Sequence, residues 1–474
     1  MQFKTTPFKH QLEEWEASRS MPTRALFWEM GTGKTKLVID TAAWLREAGE
    51  IDGMLVLAPN GVHDAWILDE LPTHMTLPYW AHAWRSGSAA TKWHAKEVAQ
   101  LTSRDGLVVL AMSYDGFMTK RGHEAALKFL DKRRCLFVAD EVHRLKTPSA
   151  KRTRAAVYAG RRAQYKRILT GTPVTNSPFD VYCPLKFLDE NFWKPEFASY
   201  ESFKTYFGVW EERVNSQTGG RFSQVVSYRN IDQLAAIVDR VSSRVTKDQV
   251  LDLPPKVYKK VYFEMAPEQA RVYEAIKNDM VAFLNSGEVI TTPLVIVQLM
   301  RLQQVTCGYV PSDGAEALTR FDDNPRLKCL LEVLEDSPGQ AIVFARFRED
   351  INQICAALGV DCVRYDGAVE QDARVEARRR FQDGSARYFV GNPAAAVVGL
   401  TLTAAKTVVY YSNNFSLEQR LQSEDRAHRI GQSSSVTYID VVARGTVDSR
   451  IVKALRDKLN IASQITGDEV RKWL

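Results

Sequence analysis

The sequence predicts an α/β protein with two parallel-sheet lobes and a mostly helical middle. Three observations predict it. Short apolar runs alternate with helix-patterned stretches, the alternation occurs twice along the chain, and it breaks down between the two sets. Several runs are apolar nearly throughout, as parallel strands covered by helices on both faces require. Such alternation builds α/β layers, and two sets make two sheets.

The first set comprises Ala25–Trp28, Met54–Ala58, Leu107–Ala111, Cys135–Ala139 and Arg167–Thr170. The second comprises Ala341–Phe344, Cys362–Tyr365, Arg387–Val390, Thr407–Tyr411 and Val436–Val441. Expected boundaries are 1–190 for the first lobe, 191–325 for the insertion and 326–474 for the second lobe. At ~150 residues per domain, 474 residues suit about three domains or two large lobes. Within the insertion, Met265–Leu284 and Pro293–Gln304 read as helices. Phe207–Val214 and Arg221–Tyr228 read as a hairpin turning through Asn215–Gly220, where paired glycines ease the turn.

Composition sets the class. Hydrophobic residues make up 45% and charged residues 25%, enough to bury two cores. The net charge of +6 is compatible with a polyanion. Basic clusters at Lys151–Arg154, Arg161-Arg162 and Arg378–Arg380 sit beside nucleotide motifs, which favours contact with nucleic-acid phosphates over plain solvated faces. The six cysteines form no CxxC pair and no zinc spacing, so free thiols in a reducing compartment are expected. No apolar run approaches the ~20 residues that span a bilayer, so no membrane partner is expected. The expected location is the cytoplasm of a bacterial or phage-infected cell, or the nucleus in a eukaryote.

Three motifs carry chemistry. Gly31-Thr32-Gly33-Lys34-Thr35 follows an apolar run and opens a helical stretch, the context a phosphate loop needs. Glycines turn backbone N–H groups toward phosphates, and the helix N-terminus favours anions. Lys34 is expected at the β- and γ-phosphates of ATP or GTP, with Thr35 holding Mg²⁺. Trp28 occupies the first glycine position of the full pattern. Next, Asp140-Glu141 ends the strand run "RCLFVAD". A carboxylate at a strand's C-terminal end in the same sheet can hold Mg²⁺, so Asp140 is the expected metal residue and Glu141 the general base. Finally, Arg426 and Arg429 are spaced i, i+3, as two arginines on one helical face would be. They are expected to stabilise charge on the transferred phosphoryl group.

Together these motifs resemble helicase superfamily 2, and more narrowly the Swi/Snf-type family of DNA-translocating ATPases. "PFKHQLEEW" resembles the adenine-recognition motif, which implies that Gln11 pairs with the base. "LFWEMGTGKT", "DEVHRLK" and "RILTGTPVTNSPFDVYCPLKFL" resemble motifs I, II and III. "LVLAPNGVHDAW" is similar to motif Ia, with Pro59 and Trp66 in place, and "VVLAMSYDGF" to the next DNA-side motif. "RVTKDQVLDLPPK" resembles the family's own bridge into its insertion. In the second lobe, "GLTLTAAKTVVYYSNNFSLEQRLQSEDRAHRIGQ" is similar to motifs V and VI, and its Gly399–Leu402 form looks closer to the strand-annealing, fork-remodelling branch. Departures are Trp28, Asn392–Ala396 in place of a glycine-rich stretch, and Phe415-Ser416-Leu417 where Trp-Asn-Pro is usual.

The resemblance implies two RecA-like lobes that bind ATP and Mg²⁺ and act on double-stranded or branched DNA, in repair or recombination, in a minimal bacterial or bacteriophage version. It implies coupling residues at His143, Thr170, Gly171, Thr172 and Gln422. It implies DNA contacts at Pro59, Asn60, Ser113, Tyr114, Thr401 and Phe415. The hairpin 207–228 is extra to the family's minimal core and is a handle for a DNA junction or a protein partner, or a structural insertion. A strand-separating helicase and an ATP-switched DNA clamp of low turnover share the same chemistry.

Overall fold

A computed structural model describes residues 2–88, 91–214, 221–285, 292–311, 318–396 and 400–466. The strands are β1 (Thr23–Trp28), β2 (Gly53–Ala58), β3 (Tyr79–Ala83), β4 (Leu107–Ser113), β5 (Cys135–Asp140), β6 (Tyr165–Leu169), β7 (Gly208–Val214), β8 (Arg221–Tyr228) and β9 (Ser242–Val245). They continue with β10 (Lys256–Phe263), β11 (Tyr309–Pro311), β12 (Leu318–Arg320), β13 (Gln340–Phe344), β14 (Cys362–Tyr365), β15 (Tyr388–Gly391), β16 (Ala405–Tyr410) and β17 (Val436–Ala443). The chain divides into two compact units, one built around residues 1–209 and 227–252, the other around 253–460.

In the first unit seven strands form one sheet in the order β3-β4-β2-β5-β6-β1-β9. Every pairing in it is parallel. Central strands β2, β4 and β5 are buried at every residue, which is why their sequences run apolar without alternation. Leu26, Val38, Ile39, Val56, Val109 and Val138 belong to one core cluster under the helix Lys34–Glu47. The second unit holds a six-stranded parallel sheet in the order β10-β17-β16-β13-β15-β14. Its two faces are packed by separate clusters, around Ile342, Phe389 and Val408 on one and Val343, Val390 and Ile439 on the other. The alternation of successive residues between faces is the two-residue period of a strand.

All ten strands expected from apolar runs are present. Strands β3, β9 and β10 were not among them, and each is a sheet edge. An edge strand pairs on one side only and stays partly wet, so "SSRV" in β9 and "KVYKKVYF" in β10 lack a continuous apolar run. Both lie in the stretch read as insertion, so each sheet takes its last strand from 191–325. The hairpin forms as β7 and β8, a two-stranded sheet of its own. The turn Asn215–Gly220 lies outside the described residues. Aromatic rings pack where the helix Tyr200–Phe207 enters β7: Phe203 lies 4.9 Å from Phe207, 4.8 Å from Trp193 and 5.0 Å from Tyr182.

Candidate functional site

In the first sheet β6 lies between β1 and β5. Three loops therefore leave the C-terminal sheet edge side by side: Gly31–Lys34 after β1, Thr170–Thr172 after β6 and Glu141 after β5. Open α/β sheets bind ligands at this edge. Gly31 and Gly33 adopt φ of +78° and +85°, a region glycine enters without steric cost. A Cβ on Gly33 would lie 1.8 Å from Gln11 Nε2, so this position has no room for a side chain.

The loop is tied down from inside. The Thr32 hydroxyl donates to the Glu29 carbonyl at 2.8 Å. Lys34 Nζ donates to the carbonyls of Trp28 and Glu29 at 2.8 and 2.9 Å, which keeps its charge at the loop. The Thr35 hydroxyl is half-exposed and takes no hydrogen bond among the described residues. Trp28 closes β1: its indole N–H donates to Ser243 of β9 at 2.8 Å, and its side chain is fully buried. An indole at the missing glycine position thus joins the phosphate loop to the edge strand.

Gln11 is placed differently from the expectation of a base-reading amide. It is 2% exposed. Its oxygen accepts from Phe8 N at 2.8 Å, and its amide N–H groups reach the carbonyls of Thr32 and Gly33 at 3.4 and 3.3 Å. Both ends of the amide are occupied by backbone, so Gln11 fastens the phosphate loop to the first helix. His10 assists, with a ring nitrogen 2.8 Å from the Thr32 carbonyl oxygen.

Asp140 Oδ2 accepts from the Trp66 indole at 3.0 Å, and Oδ1 accepts from Glu141 N at 3.0 Å. Burial, with the Glu141 charge beside it, pushes this carboxyl up to about 6. Two of a carboxylate's roughly four acceptor positions are used, so the group can still hold a hydrated cation. The donor set fits magnesium: a hard oxygen pair, Asp140 and the Thr35 hydroxyl, at a phosphate loop. Trp66 begins a π-helical turn, Trp66–Glu70, that follows β2. Its "motif Ia" position was legible, but its bond to Asp140 was not, because the two are 74 residues apart.

Glu141 has φ +49° and ψ +53°, one of two non-glycine residues with positive φ among the described residues. That conformation costs on the order of 1–3 kcal/mol and is characteristic of functional sites. It is held by neighbours that β5–β6 pairing supplies: Asp140 is in register with Leu169, so Thr170 stands next to Glu141. The Thr170 hydroxyl donates to Glu141 Oε2 at 3.2 Å and accepts from Thr172 N at 3.1 Å. His143 Nδ1 lies 3.1 Å from the same hydroxyl and 3.4 Å from Glu141 Oε2. The structure brings together Glu141, His143, Thr170 and Thr172. Gly171 is held against the phosphate loop's entry: a Cβ there would sit 3.4 Å from Met30 N and Trp28 O.

A brace that sequence reading missed comes from "RVTKDQV". Lys247 N donates to Glu29 Oε2 at 2.9 Å. Arg244 donates to the carbonyls of Phe27 and Gly171. The register of β9 on β1, Phe27 with Arg244 and Trp28 with Val245, puts this segment beside the loop.

Several expected DNA contacts are occupied by the fold. Tyr114 is 1% exposed and donates to the Asp140 carbonyl at 2.7 Å. Ser113 is buried and accepts from Gly116 N at 2.9 Å, capping a short helix. These two are corrected to structural residues, since a group facing DNA must reach solvent. Pro59 is also buried, and Asn60 beside it is exposed at the end of β2.

In the second unit the helix Leu417–Glu424 ends before Arg426, so Arg426 and Arg429 do not share a helical face as their spacing suggested. Successive tight turns carry them instead, through Ala427 N→Glu424 O at 3.2 Å and Gln432 N→Arg429 O at 3.0 Å. The two arginines still converge: Nη1 of each donates to the Leu400 carbonyl, at 3.3 and 3.2 Å. Arg429 also donates to the Thr401 hydroxyl at 3.1 Å, so Thr401 orients an arginine. Gln432 locks the turn by donating to the carbonyls of Thr403, Ala405 and Ala427, each at 3.0 Å. Gln422 is buried, and its Oε1 has no hydrogen-bond partner among the described residues. Phe415 is half-buried against the cluster of Tyr273, Val305 and Leu455, so it packs as core. Gly399 lies outside the described residues.

A phosphate loop, a strand-end Asp-Glu pair and a second parallel-sheet unit with paired arginines define a nucleotide hydrolase of two α/β lobes. Comparison with known proteins narrows the class. The SNF2-related domain matches residues 13–309, and the helicase conserved C-terminal domain matches 325–431. The chain belongs to the SNF2-related family, within the DNA-dependent ATPases of helicase superfamily 2. It is 25% identical to the Arabidopsis thaliana "Protein CHROMATIN REMODELING 4" over 98% of this chain and 22% of that protein. It is 25% identical to the Mus musculus "DNA annealing helicase and endonuclease ZRANB3" over 94% of this chain and 40% of that protein. To the "Transcription regulatory protein SNF2" of Saccharomyces cerevisiae it is 24% identical over 92% of this chain and 26% of that protein. The chain therefore spans well under half the length of these relatives. A solved "Sulfolobus solfataricus SWI2/SNF2 ATPase core in complex with dsDNA" is 22% identical over 98% of this chain and 93% of that one, with a TM-score of 0.42.

Proposed function

We propose that this chain is an ATP-driven double-stranded DNA translocase that remodels protein–DNA complexes or forked and branched DNA. The observation that carries the reading is the bonded chain from Glu141 through Thr170 to Thr172, because it ties the residue poised beside the phosphate loop to the next strand's loop. In this reading Lys34 and the loop's N–H groups bind the phosphates of ATP. Magnesium, held by Thr35 and Asp140, would neutralise phosphate charge there. Glu141 takes a proton from water as general base, and Arg426 and Arg429 supply guanidinium charge to the transferred phosphoryl group. A change in Glu141's hydrogen bonding alters Thr170 and Thr172, which gives hydrolysis a route to DNA grip. The similarity to annealing helicases and remodellers supports a DNA substrate.

The test compares steady-state ATPase rates with duplex, single-stranded, forked and RNA substrates, using Lys34→Ala as blank. Stimulation by duplex is expected, together with triplex displacement and no strand unwinding. Equal rates with duplex DNA and with buffer refute the proposal. Unwinding would turn the reading to a helicase, and ATP-dependent affinity without turnover to a clamp. Deleting residues 207–228 checks the hairpin: loss of junction binding with unchanged ATPase makes it a handle, while no change makes it a structural insertion.

A further inference from the structure

The first unit contains a cavity of 480 Å³ alongside the helix Lys151–Gly160, lined by none of the phosphate-loop or Asp140-Glu141 residues. Arg154, Arg161, Tyr182, Lys186, Glu190 and Tyr200 provide its polar lining. Arg161 is committed to Glu190 at 2.5 Å, so those two charges cancel. The charged ends of Arg154 and Lys186 have no ion pair or hydrogen bond among the described residues. Neither do the hydroxyls of Tyr182 and Tyr200, which stay open to solvent at the cavity although the Tyr182 ring is largely buried.

Ring packing fixes where these hydroxyls stand. The Tyr182 ring stacks on Trp193 at 5.5 Å and 7°, and Tyr200 lies 4.8 Å from it. Burial pushes the Tyr200 hydroxyl up to about 12 and raises Tyr182 as well, so both keep their protons as donors. It also pushes the neighbouring Cys183 thiol up to about 12, so that group adds no negative charge. What remains free is four donors carrying two positive charges.

This set has a specific complement. A carboxylate offers one charge and two oxygens, which leaves a cation and donors unmet. A phosphate monoester carries nearly two charges at neutral pH and three acceptor oxygens. The volume lies in the ~300–1,000 Å³ range of small-molecule sites, which is too large for phosphate alone. Pro148, Val157 and Tyr158 supply apolar lining for an organic body. We infer that this cavity is a second anion site, separate from the phosphate loop, for the phosphate monoester of a nucleotide-sized ligand. The source is either a free nucleoside monophosphate or the 5′-terminal phosphate of a DNA strand. The inference stands on the cavity alone and needs no part of the translocase reading.

The experiment uses the full chain carrying Lys34→Ala, so that the phosphate loop does not compete. Fluorescence anisotropy follows a short duplex labelled at its 3′ end and bearing either a 5′-phosphate or a 5′-hydroxyl, with dTMP as competitor. The expected result is one of two phosphate-specific signals at micromolar to millimolar ligand. Either the phosphorylated duplex binds roughly tenfold or more tightly than its hydroxyl twin, or dTMP itself binds in a direct titration. Arg154→Ala with Lys186→Ala should abolish the signal, and Tyr182→Phe with Tyr200→Phe should weaken it several-fold. The second pair keeps the rings and hence the packing, and unchanged thermal melting confirms that. Binding of dTMP assigns the free nucleotide, and a 5′-phosphate preference without it assigns the strand end. The inference is overturned if neither probe shows a phosphate-specific signal. It is equally overturned if that signal survives in both double variants, or if an acidic peptide binds more tightly than either probe.

Discussion

Tyr114→Phe asks whether a residue that resemblance places on DNA serves the sheet edge instead. The substitution deletes one oxygen and leaves the ring, so it opens almost no cavity. What it removes is the 2.7 Å hydrogen bond from the hydroxyl to the Asp140 carbonyl, in a side chain 1% exposed. The bond itself is worth about 1 kcal/mol net, and a buried carbonyl left without a partner raises the loss to roughly 1–3 kcal/mol. Urea unfolding should show a lower midpoint for the first lobe's transition with an unchanged slope. DNA affinity, and its dependence on salt, should stay within error of the parent, because no phosphate contact is lost. The reasoning is refuted if DNA binding weakens while stability holds, since the hydroxyl would then have been facing the ligand.

Four further outcomes follow from the site. Thr170→Val removes the hydroxyl shared by Glu141, His143 and Thr172; turnover should fall about 10–100-fold with nucleotide Kd nearly unchanged, and a parallel loss of affinity would count against it. Burial places the Asp140 carboxyl at about 6, so the Mg²⁺ proposed to sit there loses this ligand as pH falls through that value. Between roughly pH 7 and 5.5 the Mg²⁺ needed for half-maximal ATPase should rise about fourfold, an effect absent if the carboxyl is already ionised at 5.5. The sign for stability follows from the same shift: the folded pKa is raised, so ionisation destabilises the fold as pH rises from about 4 to 6, and Asp140→Asn should flatten that limb of a stability–pH curve. Arg429→Ala should leave ATP binding near normal and reduce turnover by ~10³-fold, and Arg429→Lys should not restore it, because an ammonium cannot reproduce a planar fork; single-turnover rates decide this.

The sequence by itself determined the two sheets, ten of their thirteen strands and the residue types at the first sheet's C-terminal edge. Interior strands such as β2, β4 and β5 are buried on both faces, and double burial writes itself as an unbroken apolar run that one chain reveals locally. The Gly-Thr-Gly-Lys-Thr loop and the Asp-Glu strand end were legible for a similar reason: each needs particular residue types at fixed spacing. The hairpin was legible from two strand-like runs about a glycine pair.

Only the tertiary structure decided the edges and the roles of residues held by distant partners. β9 and β10 are half-wet and polar, so their membership shows only in register with β1 and β17. Gln11 and Tyr114 carry groups that could face a ligand, and nothing local says that the distant carbonyls of Thr32, Gly33 and Asp140 take them first. The arginines kept their convergence but lost their helix, because Leu400, far back in the chain, supplies the carbonyl both of them bind. Spacing along a chain fixes which residues can share a face. Which partner satisfies each polar group depends on strands hydrogen-bonded across sequence gaps of tens of residues, and only the packed sheet sets that.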